Sequence, residues 1–434
     1  MKLGVLSLGC SKNIADMDNF VGIMANRGHE IVEDASVADL IIIDTCGFID
    51  EAKKESVEEI FKFISLKQEN PGLKVIAVGC LVQRYFDELK SEIAEIDGLI
   101  GVTSPFTLAD LIENGEFFYL KEPDGVYDYS SRVVSSKYSA YVKIGDGCNR
   151  NCAFCSIPNF KGKSVSRNPD SIVKETLSLI RKGVKEIDLV SQDCTQYGKD
   201  LNEKTDLKSL LERLNNIDGD FWIRVLYLHP DHVDNELVDS ILSLSKVVDY
   251  FDIPVQSGST RILKKMGRIK DSDRLRELLF GIRQKAPHAI LRTTLLIGFP
   301  GESEATFNET LDFVRSVKFD RLGAFVYSSE EGTQAFGLKR TIGRKAAKEM
   351  LNSLLEEQDT ISAGRLSQFK GQIMTVLVEE SGSSYSLGRA YNSAPDVDGV
   401  VVLKGHNEDG VFVKARITDS YEHDMEGVIL DELA

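Results

Sequence analysis

Basic residues are in deficit: 52 Lys and Arg face 68 Asp and Glu over 434 residues, a net charge of −16. That sign repels phosphate backbones across the surface as a whole and favours a basic partner. Long apolar runs are missing as well. The strongest, Leu40 to Ile43 and Leu295 to Ile297, fall far short of the ~18 residues of a membrane span, so no crossing of a bilayer is expected. Gly and Pro number only 34 and 10, which excludes collagen-like and low-complexity chains. Met1 to Cys10 holds one lysine and about six apolar residues, against ~15–30 for a signal peptide. It reads as a first strand, and the chain as cytoplasmic. Cysteines are few and odd in number, seven, which argues against a disulfide framework and for thiolates used as metal ligands or catalysts. Neither Gly-x-x-x-x-Gly-Lys-Ser/Thr nor His-Glu-x-x-His occurs, and the six histidines show no metal spacing. ATPase and zinc-protease chemistry therefore have no motif behind them.

What the chain does have is repetition. Lys2 to Leu8 ends in Gly9-Cys10, Asp39 to Asp44 in Thr45-Cys46-Gly47, and Lys74 to Val78 in Gly79-Cys80. Between these strands, Met17, Phe20, Val21 and Met24, then Val57, Ile60, Phe61 and Ile64, have the spacing of helices with one buried face. Near-continuous apolar strands alternating with helices predict a doubly wound parallel sheet, in which ligands bind beyond the strand carboxyl ends. Consecutive crossovers then bring Cys10, Cys46 and Cys80 to one edge. Gly115 to Tyr138 reads as a linker.

A second series follows, with strands expected at Ala140 to Ile144, Glu186 to Val190, Trp222 to Leu228, Tyr250 to Val255, Ile290 to Ile297 and Arg321 to Val326. Helices are expected between them, including Asp170 to Lys182, Asp206 to Asn215, Asn235 to Leu244, Asp271 to Lys285 and Glu302 to Val317. Such units build a partial or complete (β/α) barrel with its chemistry at the strand carboxyl ends. A long polar helix, about Gly343 to Phe369, precedes five short alternating strands from Gln372 onward, the pattern of a small β-barrel.

Directly after the first barrel strand, Cys148, Cys152 and Cys155 form Cys-x-x-x-Cys-x-x-Cys. Three thiolates so close together can wrap one cluster. Zinc ordinarily asks for four ligands, whereas a cubane iron–sulfur cluster on three thiolates keeps one iron open to a small ligand. This loop on this barrel pattern resembles the radical S-adenosylmethionine (SAM) superfamily. The resemblance implies a 4Fe-4S cluster whose open iron binds SAM, and an electron that splits SAM into methionine and a 5′-deoxyadenosyl radical. It places Phe154 beside the cluster near the adenine, and Gly298, Phe299, Pro300, Gly301 and Glu302 in a loop lining the SAM pocket. Gln192 and Gln256, at strand ends facing the mouth, can hydrogen-bond SAM or substrate. Among the basic residues near the cluster loop, Lys161 and Lys163 read as solvated surface, and Cys194 as a small spare residue rather than a ligand.

With Cys10, Cys46 and Cys80 and the small terminal barrel included, essentially the whole chain resembles the methylthiotransferase family. That implies three parts: 1–116 with an auxiliary 4Fe-4S cluster on those three thiolates, 134–369 as the radical SAM core, and 371–434 as a TRAM-like barrel. Leu8-Gly9-Cys10-Ser11-Lys12-Asn13, Asp44-Thr45-Cys46-Gly47-Phe48-Ile49-Asp50 and Ser191-Gln192-Asp193-Cys194-Thr195-Gln196-Tyr197-Gly198 look like the RimO-type branch. Asp252-Ile253-Pro254-Val255-Gln256 fits it too, while Ser257-Gly258-Ser259 looks more like the transfer-RNA branch. RimO-type enzymes methylthiolate the β-carbon of an aspartate in protein twelve of the small ribosomal subunit. The implied partner is that basic protein, free or within the subunit, with an electron donor of unidentified kind. Gly371 to Ala434 carries twelve acids and four bases, −8 in all, which disfavours direct RNA binding by the TRAM-like part and steers a basic protein toward it. Asp396-Val397-Asp398-Gly399 is expected within that acidic surface, as a contact or an exposed turn. The rival readings are a transfer-RNA adenosine methylthiotransferase, a non-catalytic iron–sulfur protein, and a zinc scaffold.

Overall fold

The computed structural model describes residues 1–123, 125, 129, 132–202 and 205–430. Its first sheet is parallel throughout, with β1 (Lys2–Ser7), β2 (Glu30–Ile31), β3 (Leu40–Thr45), β4 (Lys74–Gly79), β5 (Gly98–Ile100) and β6 (Phe118–Tyr119) in the order β2-β1-β3-β4-β5-β6. Side chains alternate between its faces. Leu40 and Ile42 pack with helices α1 (Ser11–Asn26) and, further on, α4 (Pro105–Asn114), while Ile41 and Ile43 pack against α2 (Asp50–Ser65) and α3 (Cys80–Glu92). Both faces are covered, which explains why these strands are apolar without a break. The order reverses between β1 and β3, because the two-residue β2 lies outside β1 and every later strand adds beyond β3. A doubly wound sheet leaves its ligand crevice at such a reversal. The sheet also claims Phe118–Tyr119 from the stretch expected as linker, through Leu99 opposite Phe118 and Ile100 opposite Tyr119; residues 124, 126–128 and 130–131 of that stretch lie outside those described.

The middle of the chain contributes β7 (Ser139–Lys143), a short ladder β8 (Gly145–Asp146) with β9 (Val165–Ser166), then β10 (Glu186–Val190), β11 (Trp222–Val225), β12 (Tyr250–Asp252), β13 (Ile290–Ile297) and β14 (Arg321–Val326). The parallel sheets β7-β10-β11 and β12-β13-β14 are joined where Val248 N–H donates to Ile223 O at 2.9 Å and Leu228 N–H to Asp252 O at 2.9 Å. Among the described residues β14 does not pair with β7, so the barrel is partial. Its outer layer comprises α5 (Ile157–Lys161), α6 (Pro169–Arg181), α7 (Leu207–Asn215), α8 (Asn235–Ser243), α9 (Thr260–Lys265), α10 (Ser272–Lys285) and α11 (Glu304–Val317), followed by α12 (Arg344–Leu366). Helix starts follow side-chain caps: Asn168, Asp206, Asp234, Asp271 and Ser303 each accept a backbone N–H from the first turn of the helix that follows.

Five strands, β15 (Ile373–Ser381), β16 (Tyr385–Ala390), β17 (Val401–Lys404), β18 (Phe412–Ser420) and β19 (Met425–Ile429), close the terminal barrel in the order β15-β16-β17-β19-β18. It stoppers the amino-terminal end of the larger barrel. Arg224 of β11 donates to the carbonyls of Tyr391 and Ser393 at 2.9 and 3.1 Å, Arg389 pairs with Glu186 at 2.7 Å, and Trp222 packs at a tilt against Phe412 at 4.7 Å between centroids. Of the Asp396-Val397-Asp398 segment expected on an acidic surface, Asp396 and Val397 are exposed, whereas the Asp398 side chain turns inward. Asp396 accepts from the Tyr141 hydroxyl at 2.9 Å and Asp398 from the Tyr250 hydroxyl at 2.6 Å. These phenols stand inside the larger barrel, where the acids find donors that water would otherwise supply.

Candidate functional site

Both groups of cysteines lie beyond strand carboxyl ends. Cys10 follows β1 and caps α1, Cys46 follows β3, and Cys80 follows β4 as the first residue of α3, so the strand-order reversal runs between Cys10 and Cys46. Gly47 brings the third thiol close: a Cβ there would meet Cys80 O and Leu81 N at 2.8 Å, so only glycine lets the loop lie on the start of α3. Each of the three thiols is within reach of the others' charge. Asp44, between them, accepts from Asn13 Nδ2 and Ser7 Oγ, each at 2.8 Å, yet burial still pushes its carboxyl up to about 6.

Cys148, Cys152 and Cys155 occupy the excursion between β8 and β9. Gly147, at φ +74°, allows that excursion, since a Cβ would run into the Lys163 carbonyl. Cys148 Sγ accepts from the backbone N–H of Arg150 and from Gln196 Nε2, both at 3.4 Å, and Cys155 from the backbone of Ile157. All seven cysteines are free. Among the described residues no three His, Cys, Asp or Glu side chains converge closely enough to hold a single metal ion. The donor set instead suits a cluster, which spreads its thiolates around four irons. Burial pushes the Cys80 and Cys155 thiols up to about 12, so without a cation they would stay protonated and inert, and bound iron is what deprotonates such thiols. Cys194 is wholly buried in the barrel's outer core, its thiol also pushed up to about 12 by burial.

The two groups face one another. Cys80 packs with Phe160 and Ile157 of α5, two residues after Cys155. A cavity of about 170 Å³ is lined by Phe48 and Ile49 from the loop after Cys46 and by Phe154, Gln256, Thr294, Leu296, Phe325, Tyr327 and Glu330 from the barrel. Of the residues expected near SAM, Phe154 and Gln256 line this cavity. Gln256 is held at φ +72°, a strained backbone for a side chain other than glycine. Gln192 donates to Asp146 Oδ1 at 2.5 Å, and its Oε1 is buried without a hydrogen-bond partner. The Gly298–Glu302 loop turns at Gly298 (φ +82°) and Gly301 (φ +94°). Phe299 packs edge-on to Tyr327, and Glu302 accepts the Gly298 N–H. Burial raises the Glu302 carboxyl to about 7.

Two groups that join the halves, and one within the barrel beside Cys152, were not singled out from the sequence. Glu330 receives Lys53 of α2 and Arg84 of α3, each at 2.9 Å. Lys12 lies buried over the Tyr227 ring, 3.7 Å from its centroid, and Tyr227, at φ +59°, bonds Ser11 Oγ at 3.1 Å. Burial opposes the Lys12 charge, but the neighbouring Cys10, Tyr227 and Cys194 more than offset it. His229 Nε2 stands 3.9 Å from Cys152 Sγ and touches Arg268, which also approaches the Phe154 ring. The available signal was position, since Tyr227 and His229 follow β11 at the barrel mouth. Lys161, expected on the surface, is buried between the halves and pairs with Asp146 at 3.5 Å, while Lys163 is exposed.

Comparison with known proteins agrees with this geometry. Residues 2–101 match the uncharacterized protein family UPF0004, 142–314 the Radical SAM superfamily and 371–430 the TRAM domain. Proteins described as ribosomal protein uS12 methylthiotransferase RimO are 49% identical in Petrotoga mobilis and 48% in Thermotoga maritima, each over 99% of this chain and 100% of the relative. The chain belongs to the RimO family. As a RimO-family radical SAM enzyme it uses a 4Fe-4S cluster and SAM. Among solved structures, the radical SAM methyltransferase TsrM from Kitasatospora setae superposes with a TM-score of 0.59 at 14% identity over 77% of this chain and 76% of its own. The cobalamin-dependent SAM radical enzyme OxsB gives 0.53 at 17% identity over 83% and 56%. At such identity these two speak to fold alone. No helix among the described residues of this RimO-family chain is long and apolar enough to cross a membrane.

Proposed function

We propose that the chain transfers a methylthio group to the β-carbon of an aspartate in ribosomal protein uS12. Full-length similarity to RimO relatives supports the substrate, and the cavity between the loop after Cys46 and the loop ending at Cys155 carries the chemistry. Cys148, Cys152 and Cys155 would hold the SAM-binding cluster, and Cys10, Cys46 and Cys80 a second one. When bound, these groups supply an electron, a radical able to take hydrogen from an unactivated carbon, and sulfur. The chain's own residues do the placing. Phe154 and Gln256 would line the SAM and substrate space, with Gln192 and Gly298 to Glu302 supporting it. Glu330, Lys53, Arg84, Lys12 and Tyr227 hold the halves together around it, and Phe48, Ile49, Leu296 and Phe325 give it an apolar wall. In this reading 1–116 carries the second cluster, 134–369 the radical core and 371–434 the stopper. A net charge of −16 favours encounter with a basic ribosomal protein in a cytoplasmic setting.

The test is mass spectrometry of uS12 after anaerobic incubation with reconstituted enzyme, reductant, sulfide and SAM. A methylthio mass increase on aspartate, absent without SAM, is expected. Unmodified uS12 together with a methylthiolated nucleoside in parallel transfer RNA would move the chain to the RNA branch. Clusters without SAM cleavage would leave a non-catalytic iron–sulfur protein.

A further inference from the structure

The Ser191–Tyr197 loop follows β10 and contributes more than one residue to the neighbourhood of Cys148. Its short turn, Cys194–Gln196, is capped by Asp193, whose Oδ1 accepts from the Thr195 N–H at 2.9 Å and from the Thr195 hydroxyl at 2.5 Å. Asp193 Oδ2 then accepts from Arg150 Nε at 2.7 Å and from Gln196 Nε2 at 3.2 Å. Gln196 Oε1 accepts the Asn149 N–H at 3.3 Å. The second N–H of Gln196 is thereby aimed at Cys148 Sγ, 3.4 Å away.

Chemistry fixes this orientation. A carboxylate only accepts and a backbone N–H only donates, so flipping the amide would set its oxygen against Asp193 and its NH2 against Asn149 N–H. Asp193 and Gln196 are 4% and 5% exposed, leaving water little chance to rescue the flipped form. Cys148 therefore receives two N–H donors, one from the Arg150 backbone and one from a side chain held by Asp193 and Asn149. No side-chain amide reaches Cys152 or Cys155 among the described residues.

We propose that Gln196 tunes the reduction potential of the cluster held by Cys148, Cys152 and Cys155. This rests on the cluster assignment made above. A hydrogen bond into a ligand sulfur stabilises the more negatively charged, reduced cluster and raises its potential. Gln196 thus eases the entry of the electron that SAM cleavage requires, without touching SAM or substrate. Arg150 and Asp193 act one step further back, holding the amide in place.

The experiment is a redox titration of the anaerobically reconstituted full chain, following the electron paramagnetic resonance signal that changes when SAM is added. Gln196→Met removes the donor, and Gln196→Glu removes it while keeping the shape and adding negative charge. Both should retain iron, sulfide and SAM affinity but titrate at more negative potentials, with Gln196→Glu the lower. For Gln196→Met the oxidised-to-reduced ratio at fixed potential should rise about tenfold, equivalent to about 59 mV for one electron. Unchanged potentials with full iron content would overturn the proposal. So would loss of iron from both variants, which would make Gln196 a packing residue of the loop. A wild-type chain with no SAM-responsive cluster would instead bring down the assignment beneath it.

Discussion

Arg389→Met should loosen the terminal barrel from the larger one, and the structure supplies both the size of the effect and its reporter. The Arg389 side chain is 4% exposed and pairs with Glu186 and Glu379, each at 2.7 Å. Glu186 has no exposure and holds one other cation, Arg224, at 2.7 Å. Its neighbour Asp188 is equally buried, and burial beside Glu186 pushes its carboxyl well above the usual range. Removing one partner of a buried pair costs about 3–5 kcal/mol, and since Glu186 keeps Arg224 the lower end, about 3 kcal/mol, is expected. The chain's one tryptophan, Trp222, packs at a tilt against Phe412 across this junction, so its emission reports on the junction directly. With a urea slope of about 3 kcal/mol/M, the Trp222 transition should move down by about 1 M. Adding Glu186→Gln should recover part of the loss, because only one of the two carboxylates crowded beside Arg224 is then left to share it. A shift below about 0.2 M for the single variant, or a further fall in the double variant, would refute the view that these charges hold the stopper in place.

Replacing Cys152 by Ala should abolish SAM cleavage, whereas Cys46→Ala should leave cleavage and stop sulfur insertion; equal loss of both activities would undo the division of labour between the cysteine groups. Glu330→Ala leaves Lys53 and Arg84 without their shared carboxylate, and should raise severalfold the 5′-deoxyadenosine formed per methylthiolated product, measured by chromatography of both; an unchanged ratio would remove Glu330 from the positioning set. Glu302 is raised by burial from 4.5 to about 7, so the folded state keeps a proton that the unfolded state gives up. Its contribution to stability is complete below about pH 4.5 and is lost as pH rises through about 7. Thermal midpoints of the wild type should therefore fall more steeply between pH 5 and 8 than those of Glu302→Gln, and parallel profiles would contradict this.

Much of the fold was legible where periodicity and burial coincide. The expected strands Glu186 to Val190, Ile290 to Ile297 and Arg321 to Val326 have their observed bounds, and the expected helix starts at Asp206 and Asp271 are the caps of α7 and α10. Cys10, Cys46 and Cys80 stood out because each follows a strand, and Cys148, Cys152 and Cys155 because of their spacing. What stayed hidden depends on tertiary neighbours. The two-residue β2, which sets the strand-order reversal, has too few residues for a pattern. Lys161 and Asp398 look like solvent-facing charges in one dimension, yet each side chain is buried against a partner from another segment. Net charge over 371–434 counted Asp398 as surface. The pairing of Glu330 with Lys53 and Arg84 spans 277 and 246 residues, a separation at which local pattern carries no information.

The stopper also has a consequence for how the protein is made. Glu186, Asp188 and Arg224 are laid down by about the middle of the chain, but Arg389 and the carbonyls of Tyr391 and Ser393 that complete their surroundings come from its last fifty residues. During synthesis the nascent barrel must wait, its lumen charged and open to water, until those residues clear the ribosomal exit tunnel. Iron delivered earlier would meet an unfinished scaffold, and a chain cut before Arg389 would be unable to complete its own interior.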